Sequence, residues 1–276
     1  MHLVRVVPRI AALTDFSPLT PHPLRLTEML AIIGGSGLTR LANLEVTRQL
    51  AIRTPYGEPS GALTFGTIRG REAVFLERHG HGHTIPPHEV NYRANIWALH
   101  AQGAKDAVSV AAVGGIRPDL EPGMLAVPDQ IIDYTHGRMH TYFTGADHGV
   151  THVDFTHPYC EALRQRLFRA ALGAGVALVA GGTYAATQGP RLETAAEINR
   201  LERDGADLVG MTGMPEAALA REIGLCYATV AVVVNPAAGR GSSRLQVSLA
   251  DIDAVAQRGM ERVHAILDHL VMLDGD

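Results

Sequence analysis

From residue 29 onward the chain alternates short apolar runs with segments whose apolar residues recur at helical spacing. Runs rich in Val, Ile, Ala and Leu predict buried strands, and the helical period predicts amphipathic helices. The predicted strands cover residues 29–33, 63–68, 73–76, 107–113, 123–132, 176–187, 207–211 and 226–234, and the predicted helices cover 90–102, 158–172, 193–204, 215–223 and 249–272. This alternation predicts an α/β protein with one mixed β-sheet flanked by helices.

The first 28 residues do not follow this pattern, because prolines interrupt them repeatedly between residues 8 and 23. They also lack the unbroken apolar stretch and the small-residue cleavage site of a signal peptide. We therefore expect residues 1–28 to form a disordered N-terminal extension. Residues 29–276 should form a single domain, since no linker rich in Pro, Gly or Ser interrupts them.

Composition narrows the classes of function. The chain has 276 residues, of which 46% are hydrophobic, and its apolar runs are too short to span a membrane, which predicts a soluble protein without a membrane partner. A net charge of -4 without a basic tract argues against a nucleic-acid surface. Cys160 and Cys226 are too few and too isolated for a disulfide framework or a thiolate zinc site, so we expect a cytoplasmic location.

Residues 77–99, with the sequence ERHGHGHTIPPHEVNYRANIWAL, follow a predicted buried strand. A cationic loop that leaves such a strand is a common place for an α/β protein to bind a small anion. For Arg78 beside His79 we favour a bound oxyanion over a salt bridge to a distant carboxylate. The alternation of His79, His81 and His83 leaves a metal site as a minor alternative, because the glycines between them predict an irregular loop. We therefore predict no metal.

The turn after the first predicted strand, GGSGL at residues 34–38, can present backbone N–H groups and the Ser36 hydroxyl to a phosphate. It does not match a dinucleotide-binding fingerprint, because Arg40 stands where a third glycine is needed. It does not match a Walker A loop either, because Lys105 is the only lysine of the chain. By itself the turn fits a phosphate site and an ordinary tight turn equally well.

Other segments that follow predicted strands carry polar residues: TQGPRLETAAE at 187–197, GMTGMPE at 210–216 and VVVNP at 232–236. Open α/β sheets bind ligands at this end of their strands. Glu193 and Glu216 each stand near a helix start, where a negative charge has local value, and for Glu216 we keep that interpretation. The Asn235 amide can donate and accept at once, which suits the edge of a heterocycle but also suits a turn.

Together these motifs resemble the trimeric purine nucleoside phosphorylase and methylthioadenosine phosphorylase family. The resemblance rests on IIGGSGL, RHGHGHTIPPHEVNYRANIWAL, QGPRLETAAE and MTGMPE, and it covers about residues 29–270. It implies the nucleoside phosphorylase fold with Met211 under the ribose. It also implies a phosphate site at Ser36, Arg78, His79, Thr212 and a backbone N–H near Ala111, where the methylthioadenosine branch has a threonine.

For the base, the resemblance implies a 6-oxopurine. Adenine-specific members have aspartates where this chain has Asn235 and Ala237. Members that act on 6-oxopurines use asparagine to donate to O6 and to accept from N7–H. They also use a glutamate in an FET segment to bind N1–H, and here the segment LET supplies Leu192 and Glu193. The wrong base would leave buried polar groups unpaired.

For the sugar, the resemblance implies an apolar 5′ substituent. The segment VSL at residues 247–249 is similar to the VSV of the methylthioadenosine branch, so Leu249 and Ile252 would line a pocket for a methylthio group. His83 would lie toward the 5′ end, and His152 matches a histidine that the neighbouring subunit of a homotrimer contributes. The implied reaction is phosphorolysis of S-methyl-5′-thioinosine to hypoxanthine and 5-methylthioribose 1-phosphate, as part of purine salvage and without an organic cofactor.

The predicted catalytic residues are Asn235, which would hold the leaving purine, and His79, which would hold phosphate. If His79 is partly charged near neutral pH, activity should fall as the pH rises. The alternatives are a general 6-oxopurine nucleoside phosphorylase acting on inosine or guanosine, and a methylthioadenosine phosphorylase. A histidine-cluster metallohydrolase would need no phosphate, and a purine-sensing module would bind hypoxanthine without turnover.

Overall fold

The structure, a computed structural model, describes residues 29–38, 41–145 and 149–273, so the expectations for residues 1–28 lie outside the described residues. In this part of the chain, helices flank one mixed sheet of 11 strands. The strands are β1 Met29–Gly34, β2 Glu45–Leu50, β3 Leu63–Ile68, β4 Arg71–Glu77, β5 Ala104–Gly115, β6 Leu125–Val127, β7 Gln130–Asp133, β8 Val179–Ala180, β9 Thr183–Ala186, β10 Leu208–Gly210 and β11 Cys226–Pro236. The helices are α1 Tyr92–Ala101, α2 Glu161–Gly173, α3 Ala195–Arg203, α4 Gly213–Glu222 and α5 Leu249–Met272. The predicted fold class is confirmed.

The long strand β5 is the centre of the sheet, because it pairs with β1, β10 and β11. The main path through the sheet is β2-β3-β4-β1-β5-β10-β9-β7, and β11 leads from β5 to β6 and β8. β4, β1, β5 and β11 are parallel to one another, so their carboxyl ends lie at the same edge. Loops that leave this edge are therefore brought together.

Most side chains on the two faces of the sheet belong to two apolar cores, as the alternation of a strand requires, and a smaller third core includes Ala185 of β9 and Val209 of β10. In β11, Tyr227 and Ala231 face the core that includes residues of α1 and α4. Val230 and Val232 face the other core, which includes residues of α2 and α5. Packing on both faces fixes β5 and β11, and with them the loops that follow these strands.

The predicted strands differ from the structure in two places, and strand β2 was not predicted. The range 123–132 forms β6 and β7, and the range 176–187 forms β8 and β9. Gly181 and Gly182 turn the chain with φ of 79° and 119°, conformations that glycine adopts at little cost, and Asp129 Oδ1 accepts from Gly182 N at 2.9 Å. β2 is an exposed edge strand, so it carries no apolar alternation from which it could be predicted.

Cys160 and Cys226 form a disulfide, so the prediction that these cysteines are isolated is wrong. Cys160 is the residue before α2, and Cys226 begins β11, 66 residues later in the sequence. Packing of α2 against β11 brings their Cα atoms to 5.2 Å. This long-range contact could not be read from cysteine spacing. It removes the argument that linked the cysteines to a reducing compartment.

Candidate active site

A cavity of about 500 Å³ opens where β1, β4 and β11 end. Every residue that the sequence analysis placed at the site lines this cavity, apart from His152. These residues are Ser36, Arg78, His79, His83, Ala111, Leu192, Glu193, Met211, Thr212, Asn235, Ala237, Leu249 and Ile252. His152 is exposed and lies outside the lining. The cavity is therefore the candidate active site.

Arg78 lies at this cavity with a carboxylate partner. Its side chain is fully buried, and its Nε and Nη2 donate to the two oxygens of Glu216 at 2.5 and 3.0 Å. Burial lowers the pKa of Arg78, but the negative charge of Glu216 and its hydrogen bonds have the larger effect and raise this pKa above its usual value. The interpretation of Glu216 as a local helix charge is wrong, because Glu216 is itself fully buried and also accepts from Ser109 and Tyr227.

The remaining donors of Arg78 show what it can offer to a ligand. Nη2 also donates to Ser109 Oγ at 2.6 Å, and Nη1 donates to the Val110 carbonyl at 3.0 Å. A guanidinium carries five N–H groups, so one N–H of Nη1 has no protein acceptor among the described residues. Arg78 therefore forms the salt bridge to a distant carboxylate that we did not favour from the sequence, and one N–H of Nη1 remains for a ligand.

His79 is mostly buried, and its Nδ1 lies 2.9 Å from the Ile85 carbonyl oxygen. A carbonyl only accepts, so Nδ1 carries the proton and the neutral ring leaves Nε2 as an acceptor. Burial, the charge of Arg78 and, to a smaller extent, His83 lower the pKa of His79 to about 4. The expectation that His79 is partly charged near neutral pH is therefore wrong for this geometry.

Gly35 permits the close approach of β1 to β5 at the floor of the cavity. A Cβ atom at position 35 would lie 2.5 Å from the Val110 carbonyl oxygen and 2.8 Å from Arg78 Nη1. Only glycine fits there without displacing a strand or the guanidinium. Ser36, the next residue, then lines the cavity beside Arg78, so the glycine-rich turn is part of the site and not an unrelated tight turn.

One carboxylate, that of Glu193, and one amide, that of Asn235, also line the cavity. Thr187 Oγ lies 2.6 Å from Glu193 Oε1, a contact that holds the carboxylate at the cavity wall. Asn235 Nδ2 donates to the Pro236 carbonyl oxygen at 2.6 Å, which leaves its second N–H and its Oδ1 for a ligand. Thr187 begins the TQGPRLETAAE segment, but no sequence pattern assigns it a role at the site.

Apolar side chains form a third part of the lining. Leu249 at the start of α5 is 67% exposed and Leu192 is 40% exposed, although both contact the cavity. Ile252, one helical turn after Leu249, and Val247 extend the same surface. Large apolar side chains with this exposure at a cavity mouth are typical of a surface that a ligand or another chain covers.

The described residues also bear on two other classes of function. In residues 29–38, 41–145 and 149–273, no group of three or more His, Cys, Asp or Glu side chains is arranged to hold a metal ion. Within the same ranges, no helix is both long enough and apolar enough to cross a membrane.

The sequence of residues 29–272 matches one family. The phosphorylase superfamily model aligns with residues 29–272. The chain belongs to this superfamily. The family resemblance deduced from the sequence motifs is thereby confirmed.

Members of the superfamily with high similarity are nucleoside phosphorylases. A probable S-methyl-5′-thioinosine phosphorylase of Pseudomonas syringae pv. tomato is 55% identical over 237 residues, which cover 86% of this chain and 96% of that protein. A 6-oxopurine nucleoside phosphorylase of Pyrococcus furiosus is 47% identical over 78% of this chain and 82% of its own length. Methylthioadenosine phosphorylase from Schistosoma mansoni, solved in complex with adenine, superimposes with a TM-score of 0.86 at 34% identity, covering 90% of this chain and 92% of its own.

Proposed function

We propose that this chain catalyses the phosphorolysis of S-methyl-5′-thioinosine to hypoxanthine and 5-methylthioribose 1-phosphate. The observation that carries the proposal is the combination in one cavity of Glu193 and Asn235 with an apolar mouth at Leu249 and Ile252. The carboxylate and the amide suit a 6-oxopurine, and the apolar mouth suits a methylthio group. The similarity to relatives named for this substrate supports the proposal.

The base would be recognised by its donors and acceptors. An ionised Glu193, with one oxygen at Thr187, can accept from N1–H of hypoxanthine with the other oxygen. The free N–H of Asn235 can donate to O6, and its Oδ1 can accept from N7–H. With adenine, the unprotonated N1 and the Glu193 carboxylate would both be acceptors, and the 6-amino group and the Asn235 N–H would both be donors. Neither pair could form a hydrogen bond.

The sugar and its 5′ substituent would lie between Met211 and the apolar mouth. Met211, which lines the cavity, would contact the ribose face, and His83 would lie toward the 5′ end. A methylthio group that packs on Leu249, Leu192 and Ile252 would bury apolar surface. The hydroxymethyl group of inosine would bury less of it.

Phosphate would occupy the end of the cavity formed by Ser36, Arg78, His79, Thr212 and the backbone at Ala111. The bond from C1′ to N9 breaks, and its electron pair leaves with the purine while C1′ becomes positively charged. A phosphate oxygen then bonds to C1′, and the proton of hydrogen phosphate ends on hypoxanthine. Fixed placement of the anion beneath C1′ lowers the barrier through orientation and electrostatic stabilisation. The scheme needs no metal and no organic cofactor.

A neutral His79 has a specific role in this scheme. Its Nε2 can accept the P–OH hydrogen of hydrogen phosphate, which leaves the unprotonated oxygens free for Arg78, Ser36 and C1′. Asn235 would stabilise the departing base at N7. These two residues are the catalytic residues of the proposal, one on each reacting partner.

The assembly that we propose is a homotrimer with a cavity at each subunit interface. His152 lies outside the cavity of its own chain and is exposed, so it is available to a neighbouring copy. The exposed Leu192 and Leu249 at the mouth are consistent with a surface that another subunit covers. Sedimentation equilibrium tests the trimer, and His152→Ala should raise the KM for the nucleoside if the partner copy contributes this side chain.

We place the reaction in purine salvage in the cytoplasm, where inorganic phosphate and nucleosides from nucleotide turnover are available. The chemistry supports a role in salvage, because the product hypoxanthine is a base that salvage reactions consume.

The experiment that tests the function measures product release from S-methyl-5′-thioinosine, methylthioadenosine and inosine, each with and without phosphate. We expect hypoxanthine and 5-methylthioribose 1-phosphate from the first substrate, only when phosphate is present. Turnover without phosphate would contradict phosphorolysis, and a preference for methylthioadenosine would contradict the roles of Glu193 and Asn235.

A general 6-oxopurine nucleoside phosphorylase is the second candidate, because the base-binding groups would be the same and the relative from Pyrococcus furiosus carries that name. The two candidates differ only at the 5′ end. Equal values of kcat/KM for inosine and S-methyl-5′-thioinosine would favour this second candidate over the first.

A further inference from the structure

Arg138 lies in the segment between β7 and α2, and nothing in the sequence patterns singles it out. Its side chain is only 8% exposed, yet it is not part of the cavity lining. The acceptors that it contacts among the described residues are backbone carbonyls and one phenol, with no carboxylate. A buried cation without a paired anion requires several oriented dipoles around it.

The guanidinium joins two segments that both contribute residues to the lining of the cavity. Its Nη2 donates to the carbonyl oxygens of Thr187 at 3.3 Å and Gln188 at 2.8 Å, which follow β9. Its Nη1 donates to the carbonyl oxygens of Met211 at 2.8 Å and Met214 at 2.6 Å, which follow β10. The first loop leads to the carboxylate on the base side of the cavity, and the second carries the residues assigned to ribose and phosphate.

A third contact reaches the histidine loop, residues 79–87. Arg138 Nη1 lies 3.2 Å from the Tyr92 hydroxyl, which in turn donates to the Pro87 carbonyl oxygen at 2.7 Å. Pro87 lines the cavity at the end of the loop that begins with His79. One side chain therefore connects three of the segments that line the cavity.

We infer that Arg138 is a positioning residue that fixes the spacing between the base-binding and the sugar- and phosphate-binding loops. The inference rests on the proposed function for what the loops bind. A planar guanidinium can direct N–H groups at both loops at once, whereas a lysine ammonium is a point donor that cannot span them. Reaction rate is sensitive to this spacing, since a displacement of about 1 Å can cost about 100-fold.

The test compares Arg138→Lys with Arg164→Lys. Arg164 is the control because it is 7% exposed and donates from Nε to the Pro128 carbonyl oxygen at 3.0 Å. It also pairs with Glu161, and like Arg138 it does not line the cavity. We expect Arg138→Lys to lower kcat/KM about 100-fold and to raise the KM for both phosphate and nucleoside. The kcat/KM of Arg164→Lys should stay within about threefold of the wild-type value, even if its Tm falls as much as that of Arg138→Lys.

Two kinetic outcomes would overturn the inference. One is a folded Arg138→Lys protein with wild-type KM values and kcat/KM within threefold. The other is an equal loss in both variants that follows only the folded fraction, which is what a general structural role predicts. If Arg138→Lys does not fold, Tyr92→Phe decides: release of the histidine loop should raise the KM for phosphate several-fold, and unchanged kinetics would reject the connection.

Hydrogen exchange provides a readout that does not depend on the reaction. Amides in residues 187–193 and 211–214 should exchange faster in Arg138→Lys than in the wild type and Arg164→Lys. Unchanged exchange in both segments would overturn the positioning role. A wild-type protein without phosphate-dependent turnover would instead reject the proposed function, and the exchange result would still stand.

Discussion

At the scale of single residues, choice of base depends on which side chains can donate and which can only accept. The amide of Asn235 supplies a donor that an aspartate in its place would lack, and Glu193 supplies an acceptor. Thr187 adds a second constraint, because its hydroxyl holds one oxygen of Glu193 at 2.6 Å. The position of the carboxylate is therefore set before a base binds.

Replacing Asn235 by aspartate should shift the preference from 6-oxopurines toward 6-aminopurines. The carboxylate would repel O6 and would accept from an amino group. We expect kcat/KM for S-methyl-5′-thioinosine to fall by about 100-fold or more, because a site left with unpaired groups rejects the wrong partner strongly. The gain for methylthioadenosine should be smaller, since Ala237 offers no second acceptor. Steady-state kinetics on both nucleosides measure the ratio, and an unchanged ratio would contradict the role of Asn235.

Thr187→Val tests the anchor of Glu193 without changing the size of the side chain. Loss of one hydrogen bond to a charged group costs about 1.5–3 kcal/mol, so kcat/KM for S-methyl-5′-thioinosine should fall roughly 10- to 100-fold. Thr187→Ser keeps the hydroxyl and serves as the control, with a loss of less than about threefold. A serine variant as impaired as the valine variant would show that the methyl group, and not the hydroxyl, matters.

His79 should make the protein less stable in mild acid. Its pKa is about 4 in the folded protein and about 6.5 in an unfolded chain, so the unfolded state binds a proton first as the pH falls. The stability is complete above pH 6.5 and should decline by on the order of 1–2 kcal/mol between pH 6.5 and pH 5. Urea unfolding of the wild type and His79→Gln at several pH values isolates this residue. Parallel pH profiles of the two proteins would argue against a neutral, buried His79.

At the scale of secondary-structure elements, the apolar pattern predicted the helices and most strands because each of them buries one face locally. Exposed β2 and the turn at Gly181 had no such signal. The site was partly predictable for a related reason: residues at strand ends lie together once the strands are parallel. The ion pair of Arg78 with Glu216 was not, because it joins residues 138 positions apart in the sequence.

Gly35 follows β1, lies against β5 and lines the cavity, so Gly35→Ala should weaken the binding of phosphate that we propose for this site. The added methyl would lie 2.8 Å from Arg78 Nη1 and 2.5 Å from the Val110 oxygen, so the guanidinium or the strand must move. We expect the KM for phosphate to rise at least about 10-fold, because the displaced guanidinium would no longer be oriented toward the anion. Gly61→Ala is the control, since a Cβ at position 61 meets no atom within 4 Å. Equal KM values for the two variants would contradict the close approach.

At the scale of the whole molecule, stability and activity are supported by different long-range links. Arg138 connects loops on the cavity side, whereas the disulfide from Cys160 to Cys226 ties α2 to the start of β11. Tyr227, the residue after Cys226, donates to Glu216, which holds Arg78. Covalent and hydrogen-bonded links thus meet in β11, the strand that also carries Asn235 at its other end.

Removal of the disulfide should lower global stability more than activity. Closing a loop with a sequence separation of 66 restricts the unfolded chain, so the Cys160→Ala, Cys226→Ala double variant should lose about 2–4 kcal/mol of unfolding free energy. The kcat at 25 °C should change little, because Asn235 lies at the far end of β11 and its hydrogen bond does not involve the cysteines. Guanidinium denaturation with and without dithiothreitol measures the loss of unfolding free energy. The double variant serves as the control, because the reductant should not change its denaturation midpoint. A wild-type midpoint that dithiothreitol also leaves unchanged, with two thiols titratable in the untreated protein, would show that this disulfide does not form.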